Sequence, residues 1–221
     1  VAGALGVDEA LVLVCSTGVI GKLLPMDRIR DGARTAAAAL RPDGGDDAAH
    51  AILTTDTVDK QTALRLEIDG RAVTIGGMCK GSGMIEPMMA TMLGVITTDA
   101  AVDARALDQA LRQAVEVSFN RAVVDGDRST NDTVIALANG AAGTRTLDAA
   151  HPQWADFTAA LTAVCTELAK KLVLDGEGAT KFVTVRVTGA RSAGDAQKAA
   201  RAIAKSALVK TSWFGLDPNW G

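Results

Sequence analysis

Thr91 is the side chain with the most chemistry within its reach. It follows Ala90 near the end of the run KGSGMIEPMMATML, residues 80–93, where a glycine-rich loop meets an apolar stretch. Gly81 and Gly83 allow backbone conformations closed to other residues, Pro87 fixes its own φ, and residues 92–96 read as a buried β run. A small residue followed by threonine at such a break is a place where a chain can cut itself. Opening the Ala90–Thr91 bond would give Thr91 a free α-amine with a reference pKa of roughly 7.7–8.0. That amine can act as general base for the Thr91 hydroxyl, the threonine form of nucleophilic catalysis. On residues alone a structural threonine ahead of a buried strand is the simpler explanation.

Four other places hold groups that could work with such a nucleophile. Thr17-Gly18 leaves a short apolar run, and a turn of that kind can aim a hydroxyl and an N–H at one point, or be a plain turn. Thr54 stands in Thr54-Thr55-Asp56-Thr57, which reads as a turn held by its own side-chain hydrogen bonds. Lys80 lies eleven residues before Thr91, beside glycines where a lysine is usually solvated. Glu177 is displayed between Gly176 and Gly178, either as a solvated turn residue or as a partner for an ammonium group.

The segment KGSGMIEPMMATML resembles the self-cleavage segment of the glutamate N-acetyltransferase (ornithine acetyltransferase) family. Further blocks resemble that family in the same order: CSTGVIG from Cys15 with LPM from Leu24, AILTTDT from Ala51, VDGD from Val124 with STNDT from Ser129, DGEGATK from Asp175, and LVKT from Leu208 with DPNWG from Asp217. Glu86, Met88, Arg128 and Trp213 depart from the family pattern, at positions to which no chemistry is assigned. The resemblance implies acetyl transfer from N-acetylornithine to glutamate, in arginine biosynthesis, by a ping-pong route with Thr91 as nucleophile after self-cleavage at Ala90-Thr91. It also implies that Thr17 and Gly18 form the oxyanion hole and that Thr54, Lys80, Thr91 and Glu177 contact substrate. A substrate carboxylate is the natural anion for Lys80. No cofactor is implied, although some family members accept acetyl-CoA as a substrate, and nothing in the residues decides whether this chain does.

Family chains begin well before the equivalent of Val1 and continue well past Gly221, so the resemblance implies an internal portion of a longer protein. Residues 1–90 would then be the C-terminal part of an α subunit and residues 91–221 the N-terminal part of a β subunit. Together they form one integrated catalytic unit, with the halves associated as a heterotetramer of two α and two β. Family substrate-binding residues, an asparagine and a threonine or serine, would lie beyond Gly221. Secondary-metabolism acyl transfer, an N-terminal-nucleophile amidohydrolase and an unprocessed amino-acid-binding protein stand as rival readings.

Positioning these groups falls to elements that the local pattern predicts. Residues 11–15 read as a buried strand, and Pro25 opens a helix running to about Leu40 with Ile29, Ala33, Ala36 and Leu40 on one face. Residues 41–47 read as a surface loop, while 48–53 are ambiguous. Asp69-Gly70 between two alternating runs, 62–68 and 72–75, is a hairpin signature. Asp103 should cap a helix with Leu107, Leu111, Ala114 and Val115 inward. Residues 121–133, rich in Asp, Ser, Thr and Asn, lack the spacing of a calcium loop and read as a hydrogen-bonded loop near the active site. Residues 133–137 suggest a strand and 152–174 the longest helix, with Phe157, Leu161, Val164, Leu168 and Leu172 as core. Residues 182–187 alternate as a strand, Ala196, Ala199, Ala200 and Ile203 mark a helix, and 208–214 read as a final strand. The fold class is α/β with a mixed sheet. The resemblance extends this to mixed β-sheets packed between helices, an N-terminal-nucleophile-type architecture.

Composition narrows the partners. Nearly half of the 221 residues are apolar, which supplies a substantial core. The net charge of −3, with acids and bases interspersed, leaves no basic footprint for nucleic acid and no polybasic run for membranes, so small polar metabolites are the expected ligands. No apolar run approaches the roughly 20 residues of a membrane span. Cys15, Cys79 and Cys165 include no C-x-x-C pair, so neither a disulfide framework nor a zinc site is expected, and a reducing, cytoplasmic compartment follows. With two histidines, His50 and His151, the chain is poorly supplied for a histidine triad or metal site, and both read as surface or capping residues.

Overall fold

Asp69 and Gly70 take φ of 53° and 70°, the left-handed pair that a two-residue hairpin turn needs, and the sheet is built outward from them. In the computed structural model, residues 1–84, 92–127 and 129–218 are described. The turn joins β1 (Lys60–Ile68) to β2 (Arg71–Lys80) in an antiparallel ladder running from Ile68↔Arg71 to Lys60↔Cys79. The far half of β2 pairs antiparallel with β3 (Leu93–Thr98), and β3 pairs parallel with β4 (Thr133–Ala138). The result is a four-stranded mixed sheet in the order β1-β2-β3-β4. Lys80 and Leu93 are register partners, so the β2–β3 ladder ends at the two residues that flank the segment 81–92.

The helices are α1 (Ala2–Leu5), α2 (Met26–Ala38), α3 (Gly45–Ala51), α4 (Ala104–Val117), α5 (Trp154–Leu174), α6 (Ala193–Lys205) and α7 (Ala207–Gly215). Asp103 caps α4, its carboxylate accepting from the N–H groups of Arg105 and Ala106 at 3.0 Å each. Alternation along the strands sends Ile68, Val73, Ile75, Cys79 and Ile96 into a core completed by Phe157, Leu161, Val164, Leu168 and Leu172 of α5 and Ala110 and Ala114 of α4. The expected inner face of α5 is therefore the observed one. Gly77 makes the close seating possible, because a Cβ there would lie 2.7 Å from Ile96 Cδ1 and 2.9 Å from Leu168 Cδ1.

The α/β class and the mixed sheet hold, but the described residues form one sheet, and α4 and α5 pack on one of its faces. On the other face Ala63, Arg65, Glu67, Thr74, Thr97 and Leu137 are exposed. Three predicted strands are not formed. Leu11 closes a 3₁₀ turn at Glu9–Leu11, and residues 12–15 carry no ladder, with Leu13 and Val14 exposed. Residues 182–187 likewise carry no ladder. Together with α6 and α7 they border a groove of about 950 Å³ against the ends of α4 and α5. A strand is defined by hydrogen bonds to a neighbour, and among the described residues neither stretch has one. Residues 208–214 belong to α7, whose first turn is capped by Ser206 accepting from Val209 N–H at 3.3 Å. Val209 and Trp213, four apart, turn inward there, a helical rather than a strand spacing. The predicted helix from Pro25 exists as α2, but Ile29 and Leu40 are 40% and 71% exposed and the helix buries no residue. Within the expected loop 41–47, α3 begins at Gly45.

Candidate active site

Two aspartates and a lysine tie together the segments that deliver the candidate residues. Lys60 opens β1 and is fully buried; its ammonium donates to Asp56 Oδ1 at 2.7 Å, to Asp175 Oδ2 at 2.5 Å and to the Val58 carbonyl at 3.0 Å. Burial alone would lower the Lys60 pKa, but the hydrogen bonds to Asp175 and Asp56 outweigh it and hold the group above its usual value. Burial would likewise raise both carboxyls. The Gly81 N–H and Lys60 depress that of Asp56, and Lys60 and Thr57 depress that of Asp175. Thr57 donates to Asp175 through both its N–H and its hydroxyl. The loop of residues 54–57, the start of β1 and the C-terminal end of α5 are thus locked to one another.

Asp56 reaches further. Besides Lys60 it accepts from Thr54 N–H at 3.2 Å and from Gly81 N–H at 2.8 Å, so it fixes the backbone of Thr54 and the residue after Lys80. Lys80, only 2% exposed at the end of β2, then donates to Thr54 Oγ1 at 2.9 Å. That is its one hydrogen bond to a described residue, and an ammonium carries three donors. Burial lowers the Lys80 pKa, with Asp56 and Asp132 opposing and Lys60 reinforcing.

Glu177 joins from the other side. Its N–H donates to Ser82 O at 3.0 Å, while Ser82 Oγ donates to the Asp175 carbonyl at 3.3 Å. Its carboxyl lies over Gly83, where a Cβ would come within 2.9 Å of it. Beyond the loop, Met92 N–H donates to Asp132 Oδ1 at 2.8 Å, and Thr133 N–H to the Met92 carbonyl at 3.0 Å. Burial pushes the Asp132 carboxyl up to about 6, with the Met92 N–H and Lys80 acting against it. The hydrogen-bonded loop expected at 121–133 includes Asp125, which accepts from the N–H groups of Met84 and Asp127.

Of the residues singled out from sequence, Thr54, Lys80 and Glu177 therefore converge on the glycine loop 81–84. Ala90 and Thr91 lie outside the described residues. Thr17 is half-buried and Gly18 exposed, facing Leu24, and no hydrogen bond among the described residues joins either to Thr54, Lys80 or Glu177. Asp56, Lys60, Asp132 and Asp175 received no role from the sequence. Three of them sit inside quoted blocks, TTDT, STNDT and DGEGATK, where an acidic residue beside hydroxyls and glycines was the available signal. Lys60 had none, because a lysine ahead of an alternating run reads as a surface residue. Cys79 and Cys165 are buried, and burial pushes both thiols up to about 12, which removes them as nucleophiles. His151 is buried, accepts the Gln153 N–H at 3.1 Å and faces Asp69, so it is neither a surface residue nor the cap of α5, while His50 is exposed as expected.

Residues 1–221 match the family described as the ArgJ family. The chain belongs to that family. It is 60% identical over 220 residues to the arginine biosynthesis bifunctional protein ArgJ of Symbiobacterium thermophilum, covering 100% of this chain and 55% of that protein. It is 51% identical over 220 residues to the protein of the same name from Bacillus subtilis, covering 100% of this chain and 54% of that one. The chain thus spans about half the length of the relatives it matches. The crystal structure of the arginine biosynthesis bifunctional protein ArgJ from Bacillus halodurans is similar with a TM-score of 0.54 at 48% identity, over 57% of this chain and 58% of that one.

Proposed function

We propose that the chain carries the nucleophile-bearing part of an acetyltransferase of arginine biosynthesis, which moves acetyl from N-acetylornithine to glutamate. The observation that supports this best is Lys80, buried and anchored on Thr54 where the glycine loop leading to Thr91 begins, in a chain of the ArgJ family. The Thr91 hydroxyl attacks the Ala90 carbonyl, and water hydrolyses the resulting ester, leaving Thr91 with a free α-amine. In the mature site Thr91 Oγ attacks the acetyl carbonyl of N-acetylornithine, its proton passing to the α-amine and then to the departing ornithine nitrogen. Glutamate takes the acetyl group from Thr91 by the reverse steps.

Thr17 and Gly18 donate to the tetrahedral oxyanion, Lys80 and Thr54 take a substrate carboxylate, and Glu177 takes a substrate ammonium group. Scission need not part the halves. The ladder from Ile75↔Thr98 to Lys80↔Leu93 runs between residues on either side of the proposed cut.

The test is incubation of the full-length protein with acetyl-labelled N-acetylornithine, followed by peptide mass mapping. Label on Thr91 of a chain cut after Ala90, discharged by glutamate without release of free acetate, is the expected result. An unbroken Ala90–Thr91 bond in active protein, or label on another residue, overturns the reading.

A further inference from the structure

Lys60 is fully buried, and the two carboxylates it joins, Asp56 and Asp175, are buried with it. Apolar side chains in such a place are often as stabilising as an ion triad or more so, because charges must first be stripped of water. Stability alone is therefore a poor reason for this triad. What it supplies that apolar packing does not is fixed distance and direction, through charge-assisted hydrogen bonds.

Each carboxylate is tied to a different pole of the candidate site. On one side Asp56 accepts from Gly81 N–H at 2.8 Å and from Thr54 N–H at 3.2 Å, and Thr54 Oγ1 holds the Lys80 ammonium at 2.9 Å. On the other side Asp175 closes α5, its N–H donating to the Lys171 carbonyl at 3.1 Å. The Asp175 carbonyl accepts from Ser82 Oγ at 3.3 Å, and the Ser82 carbonyl accepts the Glu177 N–H at 3.0 Å. Gly176, between Asp175 and Glu177, is tightly seated, since a Cβ there would lie 2.7 Å from Val124 Cγ1. The Lys60 ammonium, 2.7 Å from Asp56 Oδ1 and 2.5 Å from Asp175 Oδ2, joins the cationic pole to the anionic one.

We infer that Lys60 is a positioning residue that sets the separation of Lys80 and Glu177, and through it the chain length of the zwitterionic donor that the site accepts. The inference rests on the reading of Lys80 and Glu177 as the groups that take a substrate carboxylate and ammonium. A diamino acid acetylated on its α-nitrogen carries one carboxylate and one side-chain ammonium. The number of methylenes between them decides whether both poles are reached at once. Poles on a compliant frame would follow the ligand, whereas poles held by a buried triad reject the wrong length.

The test compares kcat/KM of the full-length protein for the Nα-acetyl derivatives of 2,4-diaminobutyrate, ornithine and lysine, which differ by one methylene each. Wild type should favour the ornithine derivative over both neighbours by about tenfold or more. Lys60→Arg keeps the charge but lengthens the strut, and should move the lysine-to-ornithine ratio at least about fivefold toward the longer donor. A merely structural lysine would lower all three values together. A ratio within about twofold of wild type, or one that moves toward the shorter donor, overturns the inference, as does a wild type that does not discriminate. If Lys60→Arg gives no processed protein, Asp56→Glu, which adds a methylene between Lys60 and the Thr54–Gly81 anchor, is read by the same ratio. Failure of both to give processed protein assigns the triad to folding and overturns the inference. Lys80→Met and Glu177→Gln keep the two ideas apart. Donor KM unmoved by either sinks the underlying reading, while a raised KM in both with an unmoved Lys60→Arg ratio sinks the inference alone.

Discussion

Leu168 in α5 and Leu23 ahead of α2 are the same side chain in two settings, the first fully buried and the second 98% exposed. The contrast extends to their regions. The sheet with α4 and α5 encloses a continuous core, whereas residues 1–58 and 179–218 leave Leu11, Leu13, Val14, Ile20, Phe182, Leu208 and Phe214 exposed. Both regions carry large apolar side chains. What separates them is that the central elements enclose a core within the chain, while the flanking ones, among the described residues, cover their apolar side chains only in part. A hydrophobic pattern states what an element needs; its structure depends on whether the need is met.

The largest expected effect tests the centre of the packed region. Lys60→Met leaves Asp56 and Asp175 facing each other without their shared cation and should destabilise the fold by about 3–5 kcal/mol in urea unfolding. The pH dependence has a definite sign. Asp56 and Asp175 titrate below their unfolded values, so they contribute stability above about pH 4, and that contribution is lost as pH falls through their folded pKa values. Lys60→Met should flatten this acid limb, and an undiminished limb would mean that the lysine is not what depresses the carboxyls. Next in size is Gly77→Ala, whose new methyl meets buried Ile96 and Leu168 and should cost about 1–3 kcal/mol by thermal denaturation. The smallest effect belongs to the flank. Leu23→Ser should change the stability of this chain by no more than about 0.5 kcal/mol. A loss comparable to that of Gly77→Ala would dissolve the distinction between the two regions.

The division also separates what could be read in advance from what could not. The hairpin at Asp69-Gly70, the cap at Asp103 and the inner face of α5 were legible because each rests on a local rule: left-handed φ at the turn, a carboxylate before a helix, apolar residues at helical spacing. Residues 11–15 and 182–187 were misread because strand pairing depends on a distant partner. In 208–214 a run of apolar and β-branched residues hid a helix that starts at Ser206. At the site, Thr54, Lys80 and Glu177 were visible as types and motifs. The Asp56–Lys60–Asp175 bridge was not, since it joins residues more than a hundred positions apart and its lysine carries no local mark.

The parallel pairing of β3 with β4 has a consequence in time. Met92 is held by Asp132 and Thr133, forty residues further along the chain and beyond the α4 crossover, and contacts that close so long a loop form late in folding. If the scission proposed at Ala90–Thr91 takes place and needs Met92 in position, the newly made polypeptide stays whole until its sheet is complete. The bond would then open only in a molecule that can hold the pieces, and under that proposal the order of assembly would itself guard against premature cutting.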